Sequence, residues 1–217
     1  MIEFNLLQKI IIWLIPIIFA ITLHEVAHGW VAYRLGDPTA KLQKRLSLNP
    51  LRHIDLLGTL IIPIGLLLTT GFVFGWAKPV PVNWSNLHNP RRDTALVAIA
   101  GPLTNLLMAI FWALALRYSF MLSLQNIAAG TVLLYMSNIG VSINILLCVL
   151  NLIPIPPLDG SRVLASFLPA RGQYLLHRIE PFGFFILLIL LVSGLLGSFL
   201  YPAVQGLKSF IRVLLNF

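Results

Sequence analysis

The sequence predicts an all-α polytopic membrane protein: about four spanning helices, a re-entrant or buried hydrophobic segment over 56–76, and short membrane-associated β segments. Of its 217 residues, 58% are hydrophobic and 10% charged, against roughly 25% charged in an ordinary soluble domain. Five nearly uncharged stretches, 10–33, 56–76, 94–116, 131–153 and 182–200, are each about long enough to cross a hydrocarbon core of ~30 Å as a helix. Two connectors, 34–55 and 77–93, are rich in Pro and Asn and hold much of the charge.

The first stretch exceeds a signal-peptide core in length and contains the most polar motif of the chain, so it is read as retained. In the connectors, "KRLSL" and "KPVPVNW" alternate as extended segments do. The second stretch carries Gly58, Pro63, Gly65, Gly71 and Gly75, which weaken a plain span. The third opens with Gly101, Pro102 and Asn105, suited to close helix packing and a hydrogen bond to backbone. Asn138, Ser142 and Asn144 in the fourth stretch offer helix–helix hydrogen bonds. The tail 205–217, with Lys208 and Arg212 four apart among apolar residues, suits an interfacial amphipathic helix. No repeat or long polar block interrupts the chain, so 1–217 is expected to form one integral membrane domain.

The net charge is +8, but the cations lie between apolar stretches, where they orient a membrane protein rather than bind nucleic acid. Cys148 has no partner, so no disulfide framework follows.

Within the first stretch, "LHEVAH" places His24 and His28 four apart, one above the other on a helix face, where two imidazoles can share a metal. Glu25 is one step round, close enough to reach a water at that metal without being a ligand. Groups this polar are penalised inside a bilayer unless they have a role there. A catalytic zinc takes three protein ligands and keeps one position open. Asp159 is the acidic residue that stands out, because "NLIPIPPLDG" ends an uncharged run with three prolines. Those prolines must break the helix, and broken backbone at membrane depth is tolerated where it lines a cavity or is buried in protein. Asp159 as the cap of a following helix is the alternative.

HEVAH, AGPLTN at 100–105, NLIPIPPLDG, LNPLRHIDLLGT and GWAKPVPVN together resemble the site-2 protease family of intramembrane zinc metalloproteases, in a compact prokaryotic form without PDZ or CBS domain. The resemblance runs from about Phe19 to Val163. It implies one Zn2+ per chain held by His24, His28 and Asp159, Glu25 as catalytic base, and Asn151 helping to hold the substrate strand. His53 and Asp55 could pair on a second metal, but interfacial hydrogen bonding is the simpler reading.

If all five stretches crossed, His28 and Asp159 would lie on opposite sides of the membrane, so 56–76 is expected not to be a simple span. The connectors over 34–93 then put eight Lys/Arg on one side and 154–180 adds three, making 11 of 15. The positive-inside rule places these in the cytoplasm, with the metal ~9–15 Å inside that boundary. The resulting expectation is a multi-pass cell-membrane protease, with its active site towards the cytoplasm. It would hydrolyse a peptide bond within or near a transmembrane segment of a protein or peptide substrate, in contact with lipid. A metal-binding transporter and a non-catalytic binder of transmembrane helices are the other classes, but neither needs a base beside the ligands. An extended edge near 45–48 or 78–84 is expected to receive the substrate by strand addition.

Overall fold

The computed structural model describes residues 4–62, 65, 75, 77–124 and 128–216. Its helices are α1 (Leu6–Arg34), α2 (Thr39–Leu42), α3 (Leu56–Ile61, wide-turned), α4 (Pro90–Leu124), α5 (Ala128–Asn151), α6 (Asp159–Phe167), α7 (Ala170–Ile179), α8 (Gly183–Val192) and α9 (Leu195–Leu215). Single 3-10 turns lie at Pro50–His53, Trp84–Asn86 and Glu180–Phe182.

Helix α1 begins at a capping box. The Gln8 N–H donates to Asn5 Oδ1 at 2.8 Å, and the Asn5 N–H to Gln8 Oε1 at 3.0 Å, satisfying two otherwise orphaned donors. From there Ile12, Pro16, Ala20, His24, His28 and Ala32 recur every fourth position and are all buried. The two histidines thus continue a packing stripe. Helix α4 presents the matching stripe Asp93, Val97, Gly101, Asn105, Ala109 and Ala113, also buried. Rows of i±4 residues interdigitate well between helices, and the small side chains in both rows let the backbones approach closely. Helix α5 closes the core with Val141, Ile145 and Cys148. Large apolar residues such as Trp13, Phe19, Leu107, Phe111, Phe185 and Phe199 point outward, as lipid-facing side chains do.

Among the described residues four segments are long and apolar enough to cross a membrane: Leu6–Arg34, Pro90–Leu122, Ala129–Asn151 and Ala170–Val192. His28 Nδ1 meets the Val97 carbonyl, so the end of α1 and the start of α4 lie at the same end of the bundle. The connector between them therefore makes no net crossing. The expected re-entry of 56–76 falls largely on 63–64, 66–74 and 76, outside the described residues. Of that segment, α3 is described, and Asp55 caps it by accepting the Gly58 N–H at 2.7 Å.

The expected β segments are corrected: among the described residues there is no strand. Pro79 and Pro81 have no N–H, and the Val80 N–H between them donates to a side chain rather than to a neighbouring strand. The connectors are bolted together by polar side chains instead. Asp37 Oδ1 accepts from the Thr39 N–H at 3.1 Å, the Thr39 hydroxyl and Asn86 Nδ2 at 2.9 Å, while Oδ2 accepts from the Asn83 N–H at 2.7 Å.

The fifth hydrophobic stretch does not form one helix. It breaks after α8 at Gly194, which takes φ +77, a left-handed conformation that glycine adopts at low cost. The tail read as an interfacial helix is the second half of α9, packed on the bundle. Ile211 is buried against Trp112 and Val141, Lys208 Nζ donates to Ser142 Oγ at 2.9 Å, and Arg117 donates to the Leu215 carbonyl at 2.6 Å. Lys208 of its basic face thus finds a partner on α5, and α4 reaches its last turn through Arg117, which the amphipathic pattern alone could not show.

Candidate metal centre

The prolines at 154, 156 and 157 end α5 at Asn151 and turn the chain so that α6 starts with Asp159. That turn brings the carboxylate to the histidine pair on α1. His24 Nε2 and His28 Nε2 are 3.0 Å apart, and Asp159 Oδ2 lies 3.2 Å from the first and 3.3 Å from the second.

Hydrogen bonds on the far side of each ring fix the tautomers. Asn105 Nδ2 donates to the Ala20 carbonyl at 3.2 Å and to Asn144 Oδ1 at 3.0 Å, which turns Asn105 Oδ1 towards His24 Nδ1 at 2.6 Å. An amide oxygen only accepts, so His24 carries its proton on Nδ1. The Val97 carbonyl likewise takes the His28 Nδ1 proton at 2.7 Å. In the neutral imidazoles both Nε2 atoms are then bare lone pairs facing each other and a carboxylate oxygen. Asp159 Oδ2 is itself buried and accepts no hydrogen bond among the described residues. Three acceptors converging in a largely buried site repel unless a positive charge lies between them. Tetrahedral donors at ~2.0–2.1 Å from a zinc ion lie about 3.3 Å apart, which matches this triangle. Among the described residues these three are the group that could hold a metal.

Glu25, beside His24 in sequence, directs Oε2 to the Val80 N–H at 2.7 Å. The Asn151 amide donates to the Leu147 carbonyl at 3.0 Å, one turn back on its own helix. His53 Nε2 donates to the Ser47 carbonyl at 2.8 Å, in line with hydrogen bonding rather than a second metal pair.

Two residues at the centre were read from sequence only as close helix packing and a hydrogen bond to backbone, the latter made by Asn105 to the Ala20 carbonyl. Gly101 faces the imidazoles so closely that a Cβ there would lie 2.4 Å from His28 Nε2 and 2.5 Å from His24 Cε1. Asn105 orients His24 and is itself oriented by Asn144, whose Nδ2 donates to the Gly140 carbonyl at 2.9 Å. The available signal was a fully polar amide four residues after a glycine in an apolar run.

The sequence model of peptidase family M50 matches residues 12–194. A Bacillus subtilis (strain 168) protein named "Putative zinc metalloprotease YwhC" is 39% identical over 195 residues, covering 88% of this chain and 85% of the relative. Proteins named "Putative zinc metalloprotease Rip2" are 29% identical in Mycolicibacterium smegmatis, over 89% of this chain and 71% of the relative, and in Mycobacterium tuberculosis (strain H37Rv), over 90% and 70%. No solved structure matches. With a family match over most of its length, and with HEVAH and the LDG aspartate meeting at one point, the chain belongs to peptidase family M50, the site-2 protease family of multi-pass membrane metalloproteases.

Proposed function

We propose that His24, His28 and Asp159 hold the zinc of this intramembrane metalloprotease and that Glu25 is its general base. The observation that carries this reading is the triangle of three bare acceptors with edges of 3.0, 3.2 and 3.3 Å. Zinc bound there acidifies water towards neutral pH and polarises a carbonyl. Asn105 and the Val97 carbonyl keep both ligating imidazoles in the tautomer that leaves Nε2 free, as partners behind metal-bound histidines do. Glu25 takes the proton of the attacking water and delivers it to the leaving amine of the scissile peptide. Among the described residues only its Oε2 is engaged, by the Val80 N–H, which leaves Oε1 for the water.

The substrate is a transmembrane segment of a protein or peptide. Helical substrates shield their amides in hydrogen bonds, so local unwinding precedes attack, and Asn151 pairs with the exposed backbone. Its Nδ2 is held by Leu147, so Oδ1 is the atom that would accept a substrate N–H. Replacing Asn151 by Leu should slow cleavage while sparing bound zinc; loss of zinc would remove this role. The protein resides in the cell membrane as one domain over 1–217, with the site towards the cytoplasm. The 11 of 15 Lys/Arg in 34–93 and 154–180 support that orientation.

Glu25→Gln separates binding from chemistry. Intact zinc with cleavage of a panel of membrane peptides abolished is expected. Cleavage at the wild-type rate would remove Glu25 from the mechanism.

A further inference from the structure

The segment 77–82 forms a strap across α1, and its hold on Glu25 leads back to a residue outside the metal centre. Pro79 and Pro81 cannot donate, so the Val80 N–H is the strap's donor at this point, and it goes to Glu25 Oε2 at 2.7 Å. The strap is seated on Gly29, one helical turn beyond Glu25. A Cβ there would come within 2.7 Å of both Val80 Cγ1 and Leu46 Cδ2. Leu46 is the neighbour of Arg45, so the two connectors meet on this glycine.

Arg45 is 9% exposed and forms no ion pair among the described residues. Its Nη2 donates to the Lys78 carbonyl at 2.9 Å and the Pro79 carbonyl at 3.3 Å, while Nε has no partner among the described residues. Burying a guanidinium without a counterion is costly, and here its hydrogen bonds converge on the two carbonyls that precede Val80. A surface cation reaching for solvent would show the opposite: an exposed head and no fixed partners.

We propose that Arg45 is a positioning residue for Glu25: it fixes the carbonyls of Lys78 and Pro79, so that the strap presents the Val80 N–H to the carboxylate. The inference rests on the reading of Glu25 as general base and adds what holds that base in place. Misplacing a reacting group by about 1 Å can lower a rate ~100-fold, and three rotatable bonds would otherwise leave the Glu25 carboxylate free to swing.

The test uses the full chain in bilayers and, as probe, the panel peptide that wild type cuts fastest. Arg45→Met, Arg45→Lys, Val80→Pro and the Met/Pro double variant are compared with Glu25→Gln for zinc content, KM and kcat. Arg45→Met is expected to keep zinc and KM and to lower kcat ~10–100-fold. Arg45→Lys, with a single donor head in place of the fork, should fall between. Val80→Pro removes the N–H, and the double variant should be no slower than Val80→Pro alone. Wild-type kcat in Arg45→Met, loss of zinc, a change confined to KM, or additive losses in the double variant would each overturn the proposal. If Arg45→Met does not fold, wild-type kcat in Val80→Pro overturns it alone. Should Glu25→Gln itself cleave normally, the reading of the site has failed; should only the Arg45 and Val80 variants behave as wild type, the positioning role alone has.

Discussion

His24 donates its Nδ1 proton to Asn105 Oδ1 at 2.6 Å, across 81 positions of sequence, and this bond leaves Nε2 bare towards Asp159. Asn105→Leu removes the acceptor and leaves the Nδ1–H buried without a partner. Zinc affinity should fall ~10–100-fold, the usual cost of losing the group behind a metal-bound histidine, measured by competition with a chromogenic chelator. Asn105→Asp keeps an acceptor and should lose less. Equal affinity in wild type and Asn105→Leu would mean that the tautomer is set elsewhere.

Gly101→Ala gives a prediction opposite in sign to helix propensity. Alanine in place of glycine within a helix ordinarily stabilises it by up to ~1 kcal/mol. Here the added methyl would lie 2.4 Å from His28 Nε2, in the space the ligating atoms need. The variant should keep its helical circular dichroism and lose its zinc. A variant with full zinc and normal cleavage would show that α1 and α4 can separate at no cost to the site.

Asp37 gives a pH-dependent prediction. Burial alone would raise its pKa, but hydrogen bonds from the Thr39 side chain, the Asn86 amide and the Asn83 and Thr39 N–H groups hold it below the ordinary value. A depressed folded-state pKa contributes stability that is present above the unfolded value of ~3.9 and is lost as pH falls through the lower folded one. Asp37→Ala removes the carboxylate that accepts from half-buried Thr39 and from exposed Asn83 and Asn86, and losing hydrogen bonds to a charged acceptor should cost ~1–3 kcal/mol near neutral pH. The gap from wild type should narrow below about pH 4. A gap that is unchanged in acid melts would contradict this.

Much of the site was legible because its chemistry is carried by rare side chains. In a chain that is 10% charged, two histidines four apart, a glutamate and an aspartate behind a proline run have few other uses. Asn105 was less legible, because an amide in an apolar helix can bond any nearby helix and only the fold names His24 as its partner. The connectors misled for a related reason. Alternation in KPVPVNW predicts a strand when the backbone is free to pair, whereas its prolines lack donors and its Val80 and Asn83 N–H groups go to the Glu25 and Asp37 carboxylates. The break at Gly194 was hidden within an apolar run whose hydropathy does not record the sign of φ. The four-residue spacing of His24 and His28, by contrast, was legible as one helix face, and the structure sets both on the buried stripe of α1.

The central claim, one zinc held jointly by the HEVAH helix and the LDG turn, is tested most directly by metal content in wild type and Asp159→Asn purified at the same free zinc. One zinc per wild-type chain is expected, with most of it lost in the variant and cleavage falling in parallel. Full zinc occupancy and normal cleavage in Asp159→Asn would contradict it.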